Sequence, residues 1–154
     1  MTMTGDDVQL VAFRTGTQEF AFDILQVERI LRWQQPSGLP GAPAFLEGMV
    51  QHGGSAMPVV DLRKRLGLPA TVNDDTRIVV ITLGGEGVGV VVDEVREVMR
   101  VDAGVIAAPP EMVRGLAAEF ISGVATVGER VLLLLNARRL FNSTERVELE
   151  RLAR

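Results

Sequence analysis

The sequence predicts a mainly β fold, two small packed barrels related by internal duplication, and three observations carry that prediction. Its 154 residues contain many short runs of β-branched and aromatic residues set between glycine-marked turns. Several runs are apolar at successive positions, the pattern of strands buried on both faces. The chain also repeats itself. Phe45 to Val50 returns as Phe120 to Ala125, an offset of 75 that also carries Met57 to Asp61 onto Leu132 to Asn136. Phe20 to Asp23 returns as Val90 to Asp93 at an offset of 70, and Val27 to Arg32 as Val95 to Arg100 at 68. Four segments recurring in one order mark a two-fold duplication.

The first strand covers Val8 to Arg14, and a like strand opens the second half at Arg77 to Leu83. Thr15-Gly16-Thr17 and Gly84-Gly85-Glu86-Gly87 then turn the chain into the return strands Gln18 to Phe22 and Val88 to Val92. Asp23, with Gln26 three residues on and Phe22 before it, has a capping-box pattern. Ile24, Val27, Ile30 and Leu31 follow on one face of a predicted helix. Strands are expected at Gly48 to Gln51 and Ser55 to Val60, then a short helix over Leu62 to Leu66 that Gly67 and Pro69 stop. Pro69 to Thr76 reads as a polar connector between a first half at about 8–68 and a second at about 77–141. The second half continues with strands Ser122 to Val127 and Arg130 to Leu135, and Asn142 with Glu145 caps a final helix over about 143–152. Barrels of about seventy residues are individually marginal, so the whole of 1–154 is expected to fold as one domain, with the two packed over a shared apolar face. Closed or half-closed barrels suit short strands because they leave no long bare edge.

Composition limits the partners. The chain is 47% hydrophobic and 23% charged, an ordinary globular balance. Its apolar runs, such as Val131 to Leu135, fall far short of the roughly 20 residues that span a bilayer. Met1 to Asp7 is acidic where a secretory leader is basic, so a cytoplasmic protein without membrane insertion is expected. The lack of cysteine removes disulfides, thiolate metal sites and thiol nucleophiles. A net charge of −4 argues against nucleic acid, and the basic clusters Arg63-Lys64-Arg65 and Arg138-Arg139 read as solvated faces.

Catalysis has little to work with. His52, the only histidine, adjoins Gly53 and Gly54 in a predicted turn, with no nucleophile beside it in sequence. Gly84, Gly85, Gly87 and Gly89 run into β-branched residues rather than a helix, so they mark a hairpin and not a dinucleotide loop. Asp74-Asp75 and Asp93-Glu94 lack a third oxygen ligand at loop spacing. Asp23, Asp61 and Asp93 each follow a strand, where a cap or turn bond is the expected role. Trp33 is expected to pack. No catalytic residue, metal or cofactor is expected. What remains is a surface suited to holding proteins through apolar patches and strand edges.

Gln18 to Leu25, Pro40 to Gly48, Pro58 to Arg63, Val88 to Asp93 and Leu140 to Ser143 together closely resemble, in order and spacing, the CheW family of chemotaxis adaptors. The resemblance runs from about Val8 to about Asn142. It implies two five-stranded barrels joined face to face, without enzymatic activity. It also implies a link between the regulatory domain of a CheA-like histidine kinase and the cytoplasmic tips of chemoreceptors, with recruitment to membrane-associated arrays. Because that kinase domain is itself CheW-like, such barrels also pair with one another. The positions implied for receptor contact are Val27, Gly48, Gly89, Val95 and Val98, around the groove between the barrels. Val27 and Val95 are equivalent in the two repeats.

Two departures from the family stand out. Where relatives carry Asn-Leu-Arg-Gly, this chain has Gln51-His52-Gly53-Gly54, and Arg29 stands where many relatives have an acid. Glycine cannot replace the fixed charge and five donors of an arginine. The expectation is therefore a divergent adaptor that keeps its kinase and alters its receptor coupling. The alternative is a small-ligand sensory domain using the inter-barrel groove, which requires several convergent polar groups.

Overall fold

A computed structural model describes residues 6–109 and 120–152. Met1 to Gly5, the stretch 110–119 of the second half and residues 153–154 lie outside the described residues.

The β-branched runs form strands and the glycines between them turn the chain. The first half gives β1 (Asp7–Thr15), β2 (Gln18–Asp23), β3 (Val27–Arg32), β4 (Leu46–His52) and β5 (Ser55–Asp61). The second gives β6 (Arg77–Leu83), β7 (Glu86–Val92), β8 (Glu94–Asp102), β9 (Ile106–Ala107), β10 (Ile121–Val127) and β11 (Arg130–Leu135). Helix α1 (Leu62–Arg65) follows β5, and α2 (Ser143–Leu152) closes the fold. Gly16 and Gly84 turn the two leading hairpins with φ of +66° and +61°, a region closed to most side chains.

Two sheets result, in the orders β8-β1-β2-β11-β10-β9 and β3-β6-β7-β5-β4. The duplication equates β1, β2, β3, β4 and β5 with β6, β7, β8, β10 and β11. Under that exchange the first five strands of one sheet become the other sheet, and the short β9 is left without a counterpart. The parallel contacts β2–β11 and β7–β5 are equivalent. So are the bulges, one opposite Ala12/Phe13 matching that at Val27/Arg29, and one at Leu46/Gly48 matching Ile121/Gly123. This corrects the expectation of one barrel per half. Each sheet takes one hairpin from one half and the rest of its strands from the other, four in the six-stranded sheet and three in the five-stranded one, so neither half has to bury its two-faced strands alone.

Three apolar clusters follow from the alternation of side chains. Phe13, Phe20, Phe22, Val79, Ile81, Val88, Val90 and Val92 point between the sheets into the central cluster. Leu10, Ala12, Ala21, Leu132 and Leu134 point the other way, into the interior of the first barrel. Met57, Val59, Ile78, Val80 and Val91 fill the second, with Trp33 packed against them. Each barrel is closed by side chains where hydrogen bonding stops. Val101 of β8 and Ile106 of β9 share one interior, and Leu31 of β3 and Val50 of β4 share the other.

The predicted helix through Leu31 is a second correction. Asp23 does cap a turn, its Oδ1 accepting from the Leu25 amide at 2.9 Å, but only one 3-10 turn forms, Ile24–Gln26. The Gln26 Oε1 accepts instead from the Ala137 amide at 2.7 Å, across the fold. From Val27 the backbone pairs with β6, which offers a complete row of partners to a β-branched segment. Helices α1 and α2 form as predicted. Asn142 and Glu145 cap α2 reciprocally, each side chain accepting from the other's amide at 2.8 and 3.0 Å.

Candidate partner-binding surface

β3 and β8 end their respective sheets, each paired on one side only. Their bulges fall at the equivalent residues Glu28 and Arg96 and re-aim the side chains beyond them. Val27 and Val95, one before each bulge, lie half-buried against the central cluster. Ile30 and Val98, again equivalent, face outward at 39% and 51% exposure. The duplication thus presents two matching edges, each with an apolar residue set among charges.

The charges differ between the edges. Beside β8, Arg130 forks onto both oxygens of Glu19 at 2.6 and 3.0 Å and reaches Glu97 at 2.7 Å. The hydrogen bond from Arg130 holds the Glu19 carboxyl below its ordinary 4.5. The same bonds to Glu19 and Glu97 raise the Arg130 pKa above its usual range. Beside β3, Arg29 Nη1 lies 2.6 Å from His52 Nε2. A guanidinium only donates, so Nε2 is the acceptor in this contact. Arg29 and His52 line a cleft of about 320 Å³ together with Glu28, Met57 and Glu86.

Three of the five contact positions expected from resemblance, Val27, Val95 and Val98, are on these edges. The two glycines are elsewhere. Gly48, with φ of +149°, lies under Ser37, whose carbonyl oxygen a Cβ would meet at 2.5 Å. Gly89 faces the interior of the second barrel, where a Cβ would stand 2.8 Å from Ile78 Cγ2. Both positions demand glycine for packing. Of the five divergent positions, the structure brings Arg29 and His52 together, while Gly53 and Gly54 make the β4–β5 turn with φ of +58° and +82° and Gln51 is exposed beside it.

One polar cluster is not apparent from the sequence. Arg63, expected on a solvated face, is 1% exposed. It forks onto Asp61, Nε to Oδ1 and Nη2 to Oδ2, both at 2.9 Å. Its Nη1 donates to Asp93 Oδ1 at 2.9 Å and to the Thr71 carbonyl. Asp93 Oδ2 accepts from the Gly16 amide at 2.8 Å in the β1–β2 turn. Burial works against the Arg63 charge, and the bonds to Asp61 and Asp93 outweigh it, so its pKa stands raised. The cluster ties the end of β5, the connector and the crossing from β7 to β8 onto the first hairpin. The signal for it is the Asp61-x-Arg63 spacing after a strand, where a capping carboxylate keeps an oxygen free for the side chain two residues on.

Among the described residues, no three acidic or histidine side chains are placed to hold a metal, and no helix is long and apolar enough to cross a membrane.

Paired barrels with matching exposed edges are what the resemblance to chemotaxis coupling adaptors implies, and comparison with known proteins gives the same class. The chain belongs to the CheW-like domain family, which matches residues 9–145. It is 33% identical to the probable chemotaxis protein CheW of Rhizobium etli, over 90% of each chain. It is 31% identical to the chemotaxis protein CheW of Klebsiella aerogenes, over 95% of this chain and 89% of that one. Its fold matches the crystal structure of the scaffolding protein TtCheW from Thermoanaerobacter tengcongensis with a TM-score of 0.80, at 28% identity over 88% of this chain and 92% of the other. The family is one of scaffold proteins rather than enzymes.

Proposed function

We propose that this chain is a non-enzymatic coupling protein of the cytoplasm that holds the regulatory domain of a CheA-like histidine kinase and the cytoplasmic tip of a chemoreceptor. The observation that carries this reading is the equivalence of Ile30 and Val98, two exposed apolar residues at matching places on the two open edges. A scaffold that joins two partners needs more than one docking edge, and the charges around each apolar centre set what that edge accepts. On the β3 edge the cation missing at Gly53 is supplied by Arg29, held against His52 next to the turn. That relocation supports a receptor coupling altered in geometry rather than lost.

Binding of the full-length chain to a CheA-like regulatory domain and to a receptor-tip fragment tests the reading, with thermal shift as a second readout. Both partners are expected to bind. Val98→Asp is expected to weaken the receptor tip about tenfold or more with an unchanged melt, since the side chain is half in solvent. Gly53→Arg places a side chain at φ +58°, a strain of roughly 1–2 kcal/mol, so Arg29→Glu, which removes the relocated cation, is the cleaner probe and is expected to weaken the receptor tip. Failure to bind any CheA-like regulatory domain overturns the proposal.

A further inference from the structure

The structure assigns a second binding site, for a small oxyanion of the phosphate-ester class, to the cleft between the 3-10 turn Ala137–Leu140 and the start of α2. This cleft has a volume of about 570 Å³, within the range of small-molecule sites. Arg65, Arg138, Arg139 and Arg146 line it. The one carboxylate among its described lining residues, Glu145, is already satisfied: Oε2 accepts from Arg65 at 2.9 Å and Oε1 from the Asn142 amide at 3.0 Å. Three guanidinium groups therefore gather around one concavity in a chain whose net charge is −4.

Arg146 donates to the Arg138 carbonyl at 3.1 Å, and the duplication bears on why Arg138 itself has no paired carboxylate. Arg138 is the equivalent of Arg63, at the offset of 75. Arg63 is neutralised by Asp61 and Asp93. At the second site the place of Asp61 is taken by Asn136, a neutral residue whose Oδ1 accepts from the Arg138 amide at 2.9 Å. The equivalent of Asp93 is Asp23, whose Oδ1 accepts from the Leu25 amide, and among the described residues Arg138 and Arg139 make no ion pair, which leaves their charge open to an anion from outside. Arginine forks suit the paired oxygens of a phosphate group. Phe120 and Phe141, both buried, add apolar wall for the organic part of an ester.

The test uses the full chain with pyrophosphate as probe, at ionic strength matched with sodium chloride. Titration calorimetry is expected to give saturable binding, and the melting temperature is expected to rise with pyrophosphate. R138Q/R139Q is expected to bind at least about tenfold more weakly. Neither side chain bonds to another described residue, so its melt without pyrophosphate is expected to match the parent's. R32Q, which removes an exposed cation on β3, is expected to bind as the parent does. Absence of saturable binding, or equal binding by R138Q/R139Q, overturns the assignment. So does association with phosphatidylglycerol vesicles unaccompanied by any pyrophosphate response, which would make the arginines a membrane contact.

Discussion

Arg63 holds three parts of the chain through one guanidinium, and removing it strands two carboxylates in places built for a cation. Arg63→Ala is therefore expected to destabilise the fold by about 3–5 kcal/mol, read from the urea midpoint at constant m. A loss under about 1 kcal/mol would show that Asp61 and Asp93 rehydrate freely. Glu19 acts at the surface and through pH. Its folded pKa is lowered by Arg130, so its contribution is present above 4.5 and is lost as the pH falls through the lower folded value. The stability difference between the parent and Glu19→Gln is expected to shrink steadily between about pH 5 and about pH 3, the range in which carboxylates titrate, in urea melts. A difference that is flat across that window would remove Arg130 as its cause. Asp23 and Asp61 were legible as caps because capping is a matter of neighbours. Arg63 was not, because Asp93 lies thirty residues further on.

Among the elements, the hairpins and α2 could be read closely, since turn glycines and reciprocal caps act over four residues. Asn142→Ala removes one half of the α2 cap and is expected to cost about 1 kcal/mol in a thermal melt. No measurable change would mean that Leu149, buried in the central cluster, holds the helix without its cap. β3 was misread for a physical reason. Ile24, Val27, Ile30 and Leu31 have helical spacing because the bulge at Glu28 inserts one residue and breaks the two-residue alternation a strand would show. Bulges are set by the partner strand, and the partner here belongs to the other half. The candidate edges share that difficulty: Val27, Val95 and Val98 were named from resemblance, while Ile30 was recognisable only once its equivalence to Val98 could be seen alongside its exposure.

For the molecule as a whole, the duplication was written in the sequence and the exchange of strands was not. A hairpin followed by a third strand looks the same whether that strand pairs within its own half or with the other, because both choices satisfy the same local pattern. The observed exchange makes the halves interdependent. Residues 1–68 and 77–154, produced separately, are expected to lack dispersed amide resonances, and mixing them is expected to restore the native spectrum. A native-like spectrum from either piece alone would show that its strands can close a barrel unaided.

The crossing of β3 onto β6 and of β8 onto β1 also decides how the protein bears load. Each outward edge belongs to one half of the chain and is bonded to the other. A pull on either edge is therefore carried from one half of the chain into the other, and the two barrels stay tethered by backbone even where their apolar faces part.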